Sequence, residues 1–241
     1  MRTEADAAIA LLAEHVENKS AILKTSAIVG LGLAYVGSQR EELSSLLLPI
    51  VADDTNSMEI ASFAALSLGF VFVGSCNGDI TMTILQALME REPSQLDEKW
   101  ARFMVLGLAL LYLGRQDASD ATLETLKAIE HSISKQAQIL VDICSYAGTT
   151  NVLKVQEMLH HCNDHIEKKE GGKEDDSFQA FAVIGIALVA MGEDVGAEMS
   201  LRQFNHLVRT SLVETIMLSN IALRCTTVNP IFAKRFLSPL V

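Results

Sequence analysis

The stretch Ser26-Ala-Ile-Val-Gly-Leu-Gly-Leu-Ala-Tyr-Val-Gly37 decides the fold, because it recurs. Nearly uncharged runs of the same kind end at Gly74, Gly114, Gly148 and Gly192, so the five closing glycines stand 37, 40, 34 and 44 residues apart. A period in that range is the signature of stacked helix pairs. Small residues recur inside the runs: Gly30, Ser67, Gly107 and Gly185 seven places before the closing glycine, and Gly32, Gly69, Ala109 and Ala187 five places before it. Glycine within a helix costs about 1 kcal/mol relative to alanine. The compensation expected here is close backbone approach between neighbouring helices. Each closing glycine reads as the left-handed residue that stops the first helix of a pair. The fourth run, with Val141 and Ile143 at the two small positions, is the weakest copy.

A second, amphipathic helix follows each glycine. These helices are expected over 41–52, 79–91, 120–130, 152–162 and 197–208, alternating Leu, Ile and Met with charges at helical spacing. Ser38-Gln-Arg-Glu41 fits a capping box, and Asn77, Ser119, Asn151 and Asp194 suit the other starts. The first helix of each pair, apolar on all sides, must be buried, and the second must turn one face to water. The fold class is therefore all-α, a superhelical or toroid segment of stacked helix pairs. Its organisation is expected to be a trailing helix of a preceding repeat over 1–23, repeats over 24–213, a charged flexible insert at 165–177 and a divergent segment over 214–241.

Composition sets limits on function. The 241 residues are 49% apolar and only 5% aromatic, with a formal net charge of -11. That charge, with no stripe of Lys and Arg, argues against nucleic acid, whose binding rests on neutralising phosphates. The longest uncharged stretch, 60–78, contains three serines and the Gly74 stop, and its counterparts are shorter than the ~20 residues a membrane span needs. No membrane association is expected, nor a signal peptide in an N-terminus carrying Arg2, Glu4 and Asp6. Cys76, Cys144, Cys162 and Cys225 lack paired spacing and suit reduced thiols in the cytosol or nucleus.

Chemistry is sparse. His160, His161, Cys162 and His165 are the one grouping of metal-ligand types, but a structural zinc site draws four ligands, usually from two separated segments. A polar helix end is the plainer reading. His206 has no acid or nucleophile at recognisable spacing, and Gly30-Leu-Gly32 lies within a helix, not between a strand and a helix. The reading is a protein that is not an enzyme and needs no cofactor or metal.

One outward helix stands out. Asp79, Gln86 and Glu90 lie seven and four residues apart on one face, with Thr83 between them, while Ile80, Ile84, Leu85 and Leu88 serve the opposite side. Acids beside Thr and Met methyls suit a partner whose apolar patch is ringed by Lys or Arg. An ordinary solvated face has the same pattern.

Three segments carry a resemblance: Val73-Gly-Ser-Cys-Asn-Gly-Asp-Ile-Thr81, Tyr146-Ala-Gly-Thr-Thr-Asn-Val-Leu-Lys-Val-Gln156 and the run from Val183 to Arg202. In order across Leu23 to Val208 they resemble the proteasome/cyclosome repeats of the proteasome regulatory particle's non-ATPase subunit one family, and the similarity fades beyond Val208. The resemblance implies a toroid of helix pairs and a scaffold resting on the ATPase ring among other regulatory-particle subunits. It implies docking of ubiquitin, of the ubiquitin-like domains of shuttle receptors and of a deubiquitinase, with no catalysis. The family's receptor acids match Asp79 and Glu90, with Gln86 where some relatives carry an acid. The expected contact residues are Asp79, Thr83, Gln86 and Glu90, joined by Asp120 from the next outward helix. A chain of this length is not expected to close the ring alone, and a cyclosome-like adaptor with other protein ligands is the alternative.

Overall fold

The structure, a computed structural model, describes residues 6–163, 177–191 and 194–207. Gly192, His165, Cys225, residues 165–176 of the expected 165–177 insert, the side chain of His206 and the 214–241 segment lie outside what it describes. Among the described residues there is no strand, and no helix is long and apolar enough to cross a membrane. The elements are α1 (Ala7–Val16), α2 (Ala21–Ala34), α3 (Glu41–Ala52), α4 (Met58–Val71), α5 (Gly78–Glu90), the short α6 (Pro93–Leu96) and α7 (Ala101–Leu111). A 3-10 turn (Gln116–Ser119), α8 (Asp120–Lys127), α9 (Ser132–Ser145), α10 (Val152–Asn163), α11 (Ser177–Val189) and α12 (Asp194–Leu207) follow.

The chain divides into two compact units, Met1–Tyr112 with Ala118–Ala137 and Leu113–Asp117 with Gln138–Val241. In the first, α2, α4 and α7 lie side by side as an inner layer, with α3, α5 and α8 outside them. The small residues bring the inner helices together. A Cβ added at Gly32 would lie 2.8 Å from the Ser67 Cα, one at Gly69 would lie 2.5 Å from the Gly107 carbonyl oxygen, and one at Gly107 would lie 2.4 Å from that of Ala65. The residue five before one closing glycine thus meets the residue seven before the next. Ser67 also donates from Oγ to the Ile28 carbonyl at 3.0 Å, which satisfies a hydroxyl in a dry interface.

The closing glycines Gly37, Gly74, Gly114 and Gly148 all have φ between 64° and 71°, the left-handed conformation expected of them. Their amides do something the sequence did not suggest. Gly37 N–H donates to Phe70 O at 2.9 Å, Gly74 N–H to Leu110 O at 2.9 Å, Gly114 N–H to Cys144 O at 3.0 Å and Gly148 N–H to Leu188 O at 2.8 Å. Each turn therefore caps the last carbonyls of the next inner helix, groups a helix end leaves open. A second left-handed residue stands two places on, at Gln39, Cys76, Gln116 and Thr150. The amide of this residue continues the ladder, with Gln39 donating to Val71 O, Cys76 to Leu111 O and Thr150 to Val189 O at 2.9 to 3.0 Å.

Three expectations need correction. The cap of α3 is Arg40 and not Ser38, whose Oγ turns back to donate to the Tyr35 carbonyl at 2.8 Å. The outward helix expected to reach residue 130 stops at Lys127, because the chain tightens there and Ala128 and Ile129 bond back three residues instead of four. Complete burial of the inner helices holds for most of α4 but fails for α2, where Ile22 is 78% and Leu33 59% exposed.

Candidate functional site

The outward helix α5 begins where Asn77 accepts from the Ile80 amide at 3.1 Å, a side-chain cap that fixes the register of every residue after it. Asp79 then falls in the first turn, where a carboxylate complements the helix dipole, and it is exposed. Thr83 is half-buried, and its Oγ1 donates to the Asp79 carbonyl at 2.8 Å, so it presents chiefly its methyl. Gln86 donates from Nε2 to Glu90 Oε1 at 2.8 Å, and both are exposed. The amide that stands where an acid was the alternative is thus tied to the acid one turn on and orients it. Met82 and Met89, 66% and 49% exposed, flank this row, while Ile80, Ile84, Leu85 and Leu88 are buried beneath it.

Asp120, also exposed, opens α8, the outward neighbour of α5. A buried hydroxyl network that links these helices escaped the sequence reading. Tyr112, at the end of α7, lies 3.2 Å from the Thr81 hydroxyl of α5 and 2.6 Å from the Thr122 hydroxyl of α8. The signal was present, since an aromatic residue stands two places before each of the first four closing glycines: Tyr35, Phe72, Tyr112 and Tyr146. Arg91 was also missed. It is only 6% exposed and donates to Asn56 O at 2.8 Å and Asp53 O at 3.0 Å, which ties the end of α5 to the turn between α3 and α4. Nothing in its sequence context separates it from a solvated helix-end arginine.

The second unit carries its own polar cluster. Lys154 Nζ lies 2.8 Å from the nearly buried Asp142 carboxylate and 3.1 Å from Glu157, and it stands over the Tyr146 ring at 4.9 Å from the centroid. Burial pushes the Asp142 carboxyl up against the opposing pull of Lys154, while Lys154, which burial alone would lower, is held above its ordinary value by Asp142 and Glu157. Tyr146 donates to Asp117 at 2.7 Å, and that hydrogen bond, with burial, pushes the phenol up to about 12. Cys144, fully enclosed, is pushed up to about 12 by burial and stays a thiol at neutral pH. Cys162 packs into the core of this unit with Met158 and Ile186, beside His160 and His161, whose rings are 6.3 Å apart. No group of three or more His, Cys, Asp or Glu among the described residues has the geometry to hold a metal ion.

Comparison with known proteins gives this architecture a lineage. Residues 26–60 match the proteasome/cyclosome repeat. The 26S proteasome regulatory subunit rpn-1 of Neurospora crassa is 49% identical over 211 residues, 86% of this chain and 23% of the relative. The 26S proteasome regulatory subunit rpn1 of Schizosaccharomyces pombe is 56% identical over 176 residues, 73% of this chain and 20% of the relative. The 26S proteasome non-ATPase regulatory subunit 2 of Dictyostelium discoideum is 47% identical over 209 residues, 87% of this chain and 22% of the relative. The chain spans about a fifth of the length of the curated relatives it matches. With their repeat, their identity across most of its residues and an all-helical fold that explains its spaced glycines, the chain belongs to the proteasome/cyclosome repeat family, as a partial-length relative of the 26S proteasome's regulatory non-ATPase subunits.

Proposed function

We propose that this chain is a non-catalytic scaffold and receptor segment of the proteasome regulatory particle, working in the cytosol and nucleus. It contacts the ATPase ring and other subunits of the particle, and its outward helices dock ubiquitin, the ubiquitin-like domains of shuttle receptors and a deubiquitinase. The observation that carries the reading is the 47–56% identity, over 73–87% of this chain, to proteins named as proteasome regulatory subunits. Support of a second kind comes from α5, whose Asp79 and Glu90 face solvent beside Met82 and Met89. Such a strip suits an apolar patch ringed by basic groups. Exposed ion pairs contribute only ~0.2–1 kcal/mol each, so the affinity expected is micromolar or weaker, about -8 kcal/mol or less favourable.

Titration of isotope-labelled ubiquitin with the purified chain, read by amide shifts, tests this. The expected result is saturable shifts confined to one patch of ubiquitin, weakened roughly tenfold by Asp79→Ala combined with Glu90→Arg. Unchanged shifts with that variant, its helicity intact by circular dichroism, would remove the assignment of α5. A complete lack of shifts would remove the ubiquitin-receptor reading.

A further inference from the structure

At the far end of α5 from Asp79, the chain forms a cleft of about 330 Å3 that shares only Met89 with the strip above. Pro93 starts α6 immediately after α5, and this turn folds Leu96 back beside Leu88, so that the cleft has an apolar floor. Met89, Pro93, Ala128 and Ile129 form its sides, and His131, with Nε2 3.3 Å from an Asp97 oxygen, closes one end. Its volume lies at the small end of the ~300–1,000 Å3 range of ligand sites, a size suited to one or two side chains and not to a folded domain. Met89 is 49% exposed on an unbranched, polarisable side chain, which adapts to the shape of an apolar guest.

The rim decides what kind of guest fits. The segments 88–99 and 124–131, from which the lining residues come, carry six carboxylates against three cations. Each of those cations is engaged: Arg91 with the Asn56 and Asp53 carbonyls, Lys127 with Glu124 at 2.5 Å and Lys99 over the Trp100 ring at 4.4 Å. Of the carboxylates, Glu130 lines the cleft, Asp97 contacts its His131, and Glu92 stands exposed between the lining residues Arg91 and Pro93. We propose that this cleft docks a short linear peptide that inserts one Leu-type side chain between Met89 and Ile129 and sets Lys or Arg on either side against the acidic rim. The site goes beyond the ubiquitin strip, since its guest is an extended segment and its floor is Leu88 and Leu96, which the strip does not include.

The probe is a fluorescein-labelled peptide, Gly-Lys-Arg-Leu-Lys-Gly, titrated with the full chain and followed by anisotropy. Saturable binding is expected, at least tenfold weaker when the peptide leucine is replaced by serine and weaker again as salt is raised. Ala128→Trp, at an exposed position, fills the cleft and is expected to abolish binding, while Glu92→Lys with Glu130→Lys lowers it at least tenfold. Both variants are checked for an unchanged melting curve. Equal binding of the leucine and serine peptides, undiminished binding by the folded Ala128→Trp chain, or no binding at all would each overturn the proposal. Ubiquitin is titrated in parallel: loss of peptide binding with ubiquitin shifts retained sinks the cleft alone, whereas peptide binding without ubiquitin shifts supports the cleft and sinks the receptor reading.

Discussion

The two compact units solve one packing problem with opposite distributions of volume. In the first, glycine meets glycine or serine across the inner interface, and backbone lies against backbone at Gly69 and Gly107. In the second, the residue five before Gly148 is Ile143, and the residue facing it is Gly185, whose missing Cβ would lie 2.5 Å from Ile143 Cγ1. The repeat that looked degenerate in sequence has moved its bulk to one side of the interface and left the void on the other. What the array preserves is the summed volume between two helices, as close packing requires, and not a glycine on each of them.

The sharpest break of this comparison is at Gly107. Valine there must displace the Ala65 carbonyl, which is backbone and cannot rotate away, so Gly107→Val is expected to cost about 3 kcal/mol or more and to lower the melting temperature by roughly 10 °C. Gly30→Ala is the control, since its Cβ would meet only the Leu12 Cδ1 tip at 3.1 Å. That change is expected to stay within about 1 kcal/mol of neutral, because helix propensity gains what the contact loses. Comparable melting curves for the two variants would show that backbone approach does not govern the interface.

A double-mutant cycle sharpens the second half. Gly185→Ala is expected to cost about 2 kcal/mol and Ile143→Ala about 2–5 kcal/mol, but together they should cost at least about 1 kcal/mol less than the sum, because the first supplies a methyl where the second leaves space. Additive denaturation free energies would refute the volume exchange.

The smallest effect expected is the pH dependence that Tyr146 gives the second unit. Tyr146 has its phenol raised to about 12 in the folded state, above the ~10 of an unfolded chain, so its contribution to stability is complete below pH ~10 and lost as pH climbs towards 12. Phenolate absorbance should show a late-titrating tyrosine that disappears in Tyr146→Phe and moves towards ~10 in Asp117→Asn. An unmoved titration in Asp117→Asn would locate the cause in burial and not in that hydrogen bond.

Much of this was legible in the chain. The helix pairs, the left-handed glycines and the burial of Ile80, Ile84 and Leu88 follow from periodicity, because a helix face and a helix stop are each written in a few neighbouring residues. The outward direction of Asp79, Gln86 and Glu90 was readable for the same reason, as was the Asn77 cap. What stayed hidden depends on residues far apart in sequence. Gln39, Cys76, Gln116 and Thr150 share a left-handed conformation although they have no side-chain chemistry in common, because a bond to the next repeat and not local preference holds most of them there. Arg91 reads as an ordinary surface charge until the carbonyls of Asp53 and Asn56 are brought to it. The openness of α2 was likewise missed, since an apolar run says that burial is favourable and not what supplies it.

The ladder of glycine amides also gives the array a direction in time. Gly37 finds its acceptor 33 residues later in the chain, at Phe70, and Gly74 waits 36 residues, until Leu110 exists. During synthesis each of the four glycine turns therefore has only water for its amides until the inner helix that follows it supplies carbonyls. Each repeat thus borrows from the one after it the carbonyls that its own turn needs, so the seal of a hairpin is a property of the pair and not of the hairpin.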